Sequence, residues 1–175
     1  INNDTAIVGA AGERSGATGV NGDQSNNDLV AAGAAYVFVR SGTTWTQQAV
    51  LTAAVRDAYD LFGGAVAIDG DTIIVGAYGE DSNGSAPTNN DLTSSGAAYV
   101  FTRSGTSWTQ EGYLKASNLG AGDSFGTSVG IDGDAVIVGA TGESSDGSGP
   151  GNDTALNAGA AYIFTRSGTS WTQVA

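Results

Sequence analysis

Acidic and amide side chains recur at matched positions of this chain, and their oxygen atoms could bind a metal ion. A Gly-Glu pair and a later Asn-Asp pair each occur three times, with further acids nearby. The candidate ligands are Glu13, Asp23, Asp28, Asp60, Glu80, Asp81, Asn83, Asp91, Asp123, Glu143, Asp146 and Asp153. Calcium takes about six to eight oxygen ligands from flexible loops. We therefore expect one calcium ion per repeat, and the alternative is that these are ordinary turn residues.

Composition excludes several other kinds of chemistry. The chain has no His and no Cys, which removes imidazole and thiolate metal sites and the Ser–His nucleophile. Asp and Glu number 18 against 6 Lys and Arg, so the net charge of −12 disfavours nucleic acid as a partner. No apolar run approaches the roughly 20 residues of a membrane span, so we expect no membrane insertion.

The elements that carry these residues are given by an internal repeat. The segments GAAYVFVRSGTTWTQ, GAAYVFTRSGTSWTQ and GAAYIFTRSGTSWTQ begin at Gly33, Gly96 and Gly159, at spacings of 63 residues. An apolar run ending in Gly-Ala precedes each segment, and Asp-x-Phe-Gly occurs at Asp60 and at Asp123. Repetition at this period predicts a tandem array of one supersecondary unit.

Each repeat predicts four short strands. In the second repeat these are 64–68, 72–77, 97–103 and 107–115, with Asp69-Gly70 as a two-residue hairpin turn. The second and third strands are apolar at almost every position, which is typical of strands buried on both faces. The helix-like segment 48–59 corresponds to a glycine-containing segment, 111–123, so we predict no helix there. The fold class is therefore all-β, built of four-stranded antiparallel blades.

The residues also carry a family resemblance. Phe-Gly, an apolar hairpin ending in Gly-Ala, and Gly-Ala-Ala-Tyr-Val-Phe resemble the FG-GAP repeat of integrin α-subunit β-propellers and bacterial surface proteins. The resemblance covers essentially the whole chain and implies propeller blades and an extracellular or cell-surface location. Two features depart from the integrin pattern. The Pro of Gly-Ala-Pro is absent, and the connection that carries calcium in integrins is here as short as Asp69-Gly70 or Asp132-Gly133. The integrin calcium ligands are therefore not carried over.

The repeats divide the chain into three parts. Residues 1–67 hold repeat 1 without its first strand, together with the first strand of repeat 2. Residues 68–130 hold repeat 2 and the first strand of repeat 3, and residues 131–175 hold the rest of repeat 3. Closure of three blades around one axis is implausible, so we expect part of a larger propeller or an open, fibrous stack.

Three further kinds of residue recur at matched positions of the repeats. Arg40, Arg103 and Arg166 end the third strand, and we expect each to pair with an acid of a neighbouring blade. Trp45, Trp108 and Trp171 are expected to cover the blade flank, with glycan stacking as the alternative. The hairpin aspartates at 69, 71, 132 and 134 are read as turn residues. The aromatic core residues are expected to be Tyr36, Tyr99, Tyr162, Phe62 and Phe125.

These observations favour a non-enzymatic, calcium-supported extracellular module for adhesion or surface assembly. Each of these sequence features recurs in every repeat, whereas a catalytic site needs chemically different groups at one place. The alternative is a protomer of a fibre built by head-to-tail blade stacking. A glycan-binding or polysaccharide-active propeller is less favoured. Expected partners are neighbouring repeats or chains, or an extracellular protein or glycan, and N-glycans are possible at Asn3, Asn83 and Asn152.

Overall fold

The computed structural model describes residues 1–146 and 152–175, and in them the chain is built of β-strands. The strands are β1 (Thr5–Ala10), β2 (Ala34–Ser41), β3 (Thr44–Leu51), β4 (Phe62–Asp69), β5 (Thr72–Ala77), β6 (Ala97–Ser104), β7 (Ser107–Leu114), β8 (Phe125–Asp132), β9 (Ala135–Ala140), β10 (Ala160–Ser167) and β11 (Ser170–Gln173). The described residues contain no helix long and apolar enough to cross a membrane.

The strands form three separate antiparallel sheets, which confirms the all-β prediction. The first sheet has the order β1-β2-β3, the second β4-β5-β6-β7, and the third β8-β9-β10-β11. We call them the first, second and third blade. The predicted hairpin turns are present, with Gly70 and Gly133 at φ 53° and 55°, where glycine avoids the steric cost of a side chain. Segment 48–59 continues β3 and then becomes a connection, so the rejected helix is absent.

The blades pack face to face, and the core lies in the two interfaces between them. Val37 and Leu51 of the first blade cluster with Ile73, Val75 and Phe101 of the second. On the opposite face of the second blade, Ile74 and Val100 cluster with Val138 and Phe164 of the third. Strand β5 is therefore buried at every position, as the apolar run predicts.

The Phe-Gly pair lies where two blades cross at close range. Phe62 is fully buried and forms a parallel bridge with Gly33 of the preceding blade. Gly63 has φ 87°, and a Cβ there would lie 2.3 Å from the carbonyl oxygen of Ala34. Phe125-Gly126 repeats this crossing against Gly96 and Ala97. The motif therefore needs a large apolar side chain followed by no side chain at all.

Candidate functional site

The three Gly-Glu glutamates point into the base of the long loops rather than out to solvent. Each loop joins the second and third strands, and its base is closed by a bond from a later glycine amide to the glutamate carbonyl. In the second blade the Gly96 amide donates to the Glu80 carbonyl at 2.8 Å. Residue exposure is 4% for Glu80 and 1% for Glu143, so both carboxylates depend on partners within the protein.

Glu80 has a cation and a hydroxyl as partners. Lys115 Nζ donates to Glu80 Oε2 at 2.6 Å, and the Tyr113 hydroxyl donates to Oε1 at 2.9 Å. Lys115 also donates to the Ser82 carbonyl at 2.9 Å and to Ser95 Oγ at 2.7 Å. Burial lowers the pKa of Lys115, and its hydrogen bond to Glu80 opposes that effect. The buried ion pair thus joins the end of the fourth strand to both ends of the loop.

The other two glutamates have different partners. Both carboxylate oxygens of Glu13 accept the Ser15 amide at 2.9 Å, and Arg56 lies 3.9 Å away. Glu143 accepts the Tyr162 hydroxyl at 2.7 Å and the Ser145 amide at 2.8 Å. Burial opposes ionisation of Glu143, but the hydrogen bonds from Tyr162 and from the serine amides together hold its pKa below the ordinary value.

In the structure, the glutamates predicted as calcium ligands have protein groups as partners. A metal ligand must offer free lone pairs, whereas Glu80 already faces an ammonium group and Glu143 accepts donors on both oxygens. No group of three or more acids that could hold a metal ion occurs in the described residues. Calcium binding by the candidate ligands, the three glutamates included, stays a prediction.

Asp60 and Asp123 of the Asp-x-Phe-Gly segments are also buried. Asp60 Oδ2 accepts the Asp57 amide at 2.7 Å, and Asp123 Oδ2 accepts the Gly120 amide. Burial raises the pKa of Asp60 to about 7, with a further contribution from the negative charge of Glu80. Burial also raises the pKa of Asp123. Both aspartates organise the turn before the first strand.

The other predicted ligands lie on the outer parts of the loops and bind near neighbours. Asn83 donates to Asp91 Oδ2 at 3.1 Å, and Asn152 donates to Asp146 at 3.1 Å. Asp81 accepts the Ser94 amide at 2.6 Å, and Asp23 accepts the Ser25 amide at 2.9 Å. The aspartates of the first and third Asn-Asp pairs, Asp28 and Asp153, are exposed. The structure thus separates the buried glutamates from the outward aspartates.

The predicted glycan sites differ in accessibility. Asn3 and Asn83 are exposed, whereas Asn152 is half-buried and bonded to Asp146. Glycosylation at all three stays a prediction.

The third-strand arginines pair mainly within their own blade, which corrects the expectation of a neighbouring acid. Arg103 and Arg166 each lie 2.6 Å from the hairpin aspartates Asp71 and Asp134, and Arg40 lies 2.7 Å from Asp4. The register explains this, because Thr72 pairs with Thr102 and so places Asp71 beside Arg103. Arg166 also reaches an acid of the preceding blade, at 3.6 Å from Glu111. Asp71 and Asp134 are thus ion-pair partners as well as turn residues.

The recurrent tryptophans cover the blade flank, as predicted. Each arginine lies over the ring of its own tryptophan, with Arg103 5.0 Å from the Trp108 centroid. Trp108 is 4% exposed because the first blade covers it, whereas Trp45, on the open side of the first blade, is 41% exposed. Of the predicted core aromatics, Tyr99, Tyr162, Phe62 and Phe125 are buried and Tyr36 is half-buried.

Arginine and tryptophan together bind the preceding blade, an arrangement that we call the interblade clasp. Trp108 Nε1 donates to Gln48 Oε1 at 2.9 Å, and an Arg103 guanidinium nitrogen donates to Thr5 Oγ1 at 3.1 Å. The third blade repeats the contact, with Trp171 bonded to Glu111 at 3.1 Å and Arg166 to Thr72 at 3.4 Å.

Sequence reasoning missed the acceptors of the clasp and the partners of the loop glutamates. Gln48 lies at a β-bulge between the Val37 and Phe38 pairings, and a bulge redirects a side chain. Lys115 is the one lysine of the chain, and its position just after an apolar strand could have indicated a buried partner.

The clasp, the Phe-Gly crossing and the Gly-Ala hairpins recur in step with the repeat. The sequence profile of the FG-GAP repeat family matches residues 45–101 and 108–164. No curated protein matches the chain. The two profile matches cover more than half of the residues, and each runs from the last strand of one blade into the third strand of the next. The chain therefore belongs to the FG-GAP repeat family.

Proposed function

We propose that the chain is a non-enzymatic module of an extracellular adhesion or surface assembly, and that it acts through the faces of its blades. FG-GAP repeats are typical of extracellular and surface proteins, which supports the location. The polar residues that recur in the repeats mainly serve the structure: the arginines bind hairpins, and the glutamates hold loops. The outer face of the third blade is a sheet surface that no other blade of the structure covers.

The observation that carries the proposal is the apolar outer face of the third blade. Ile74 and Val100 of the second blade are fully buried by the third. Their counterparts in the third blade, Ile137 and Ile163, are 47% and 38% exposed and line a groove of about 340 Å³. A sheet face that is covered inside the array and open at its edge is suited to packing against a further partner.

The fibre hypothesis uses the same face. If successive copies stacked head to tail, the third blade of one copy would cover the first blade of the next, and a contact that does not close makes a filament. Negative-stain microscopy distinguishes the two forms, because filaments support the fibre and discrete particles support the module.

Sedimentation velocity over a concentration series tests the proposal. We expect reversible association of the wild-type chain at high concentration and its loss in Ile137→Lys. Leu156→Lys is the matched control, because Leu156 is an exposed apolar residue outside the sheet. A chain that stays monomeric throughout, or two variants with equal effects, would contradict a role for this face.

A further inference from the structure

The two internal interfaces show what each blade requires of the blade before it. In both, a tryptophan indole and an arginine guanidinium donate to an acceptor on the preceding blade. The acceptors are the fourth-strand bulge residue, Gln48 or Glu111, and the first residue of the second strand, Thr5 or Thr72. The second blade places its bulge between the Val100 and Phe101 pairings, as the first blade does between Val37 and Phe38.

The open side of the first blade presents the donors of a third such clasp. Arg40 lies 2.7 Å from Asp4 and 5.6 Å from the Trp45 ring, which matches the arrangement of Arg103 with Asp71 and Trp108. In the same blade Val8 is exposed and Tyr36 and Phe38 are half-buried, whereas their counterparts in the second blade, Val75, Tyr99 and Phe101, are buried.

We propose that this face of the first blade docks another FG-GAP-type blade, and that Arg40 and Trp45 select one with Gln or Glu at the fourth-strand bulge and Thr at the start of the second strand. The proposal rests on the assembly function above and names its partner. Its basis is continuity with the two established interfaces, which use the same donors on the same kinds of acceptor.

The third blade of the chain is a poor match for this requirement. The position of Thr5 and Thr72 is Ala135, and the position of Gln48 and Glu111 is Val174. Neither side chain accepts a hydrogen bond, so a copy that docked by its third blade would leave the Trp45 indole N–H without an acceptor and would give Arg40 no partner beyond Asp4 of its own blade. Leaving buried donors unsatisfied disfavours a contact strongly. Arg40 and Trp45 therefore favour a blade of a different repeat as the partner over the third blade of a second copy of this chain.

The test introduces the two hydrogen-bond acceptors into the third blade by substitution. Sedimentation velocity compares the wild-type chain with Ala135→Thr/Val174→Gln and with the same double variant carrying Trp45→Phe. Val174 is 59% exposed and Ala135 lies at the edge of the open face, so unfolding curves should match the wild type. We expect association to tighten at least about tenfold, as one or two interface hydrogen bonds predict, and Trp45→Phe to reverse most of the gain.

The outcomes separate the two proposals. Equal association of the wild type and the double variant would overturn selection by the clasp and leave the assembly function intact. A gain that Trp45→Phe does not reverse would also overturn it, because the indole donor would then be irrelevant. If no version associates at any concentration, both the selection and the role of the exposed faces are wrong.

Discussion

Replacing Lys115 with methionine should destabilise the second blade severely. The Lys115 and Glu80 side chains are 8% and 5% exposed, so the substitution leaves a buried carboxylate without its cation. Breaking one side of a buried ion pair typically costs about 3–5 kcal/mol. For a chain of this size, that corresponds to a fall in Tm of roughly 6–20 °C. Urea and thermal unfolding followed by circular dichroism would measure it.

The companion variants make that prediction specific. Glu80→Gln/Lys115→Met removes both charges and should recover most of the lost stability, because a neutral buried pair is often nearly as stable as an ionic one. A loss below about 1 kcal/mol, or a double variant no better than the single one, would refute the buried pair.

Three further predictions concern pH, calcium and backbone contact. Burial raises the pKa of Asp60 from 3.8 to about 7, so the contribution of this carboxyl to stability is present in acid and lost as the pH rises through that range. Asp60→Asn should therefore flatten this part of a plot of Tm against pH. A variant with the same curve as the wild type would contradict the prediction. Glu80→Gln should leave the difference between Tm in calcium and in EGTA as it is in the wild type, whereas a reduced difference would return Glu80 to the calcium ligands. Gly76→Ala should destabilise by at least about 1–3 kcal/mol, because a Cβ there would lie 1.9 Å from the Gly126 carbonyl oxygen; Gly12→Ala, which meets nothing within 4 Å, is the control, and equal urea midpoints for the two variants would refute the close crossing.

The strands were predictable because their determinants are local and repeated. Asp69-Gly70 fixes a hairpin turn, and continuous apolar runs such as 72–77 indicate burial on both faces, which the structure confirms. Comparison of repeats also excluded a helix at 48–59, since a shared fold cannot be helical in one copy and broken by glycines in another. The resemblance added the blade architecture, which the three sheets and the family match confirm.

The partners of the loop glutamates were not predictable from the repeat, because they do not repeat. Glu80 pairs with Lys115, 35 residues away, whereas Glu13 lies near Arg56 and Glu143 has a tyrosine hydroxyl. Aligning the repeats shows only what recurs and discards such single-copy residues. A buried carboxylate at the base of a loop needs hydrogen-bond donors nearby, and these donors differ from repeat to repeat.

The arginine pairing depends on the register between β5 and β6, which a long loop connects rather than a hairpin turn. That register pairs Thr72 with Thr102, so Arg103 lies beside Asp71 of the same blade. The clasp acceptors could not be predicted from the sequence, because Gln48 faces the next blade only through a β-bulge. A bulge shifts the alternation of side chains on which strand predictions depend.

The central claim is that residues recurring in each repeat join one blade to the next, and a double-mutant cycle between Trp108 and Gln48 tests it most directly. The cycle combines Trp108→Phe with Gln48→Ala and measures the free energy of unfolding in urea for all four chains. The 2.9 Å bond between these side chains predicts a coupling of about 0.5–1.5 kcal/mol across the first interface. Strictly additive effects would contradict the claim, because the two side chains would then stabilise their blades independently.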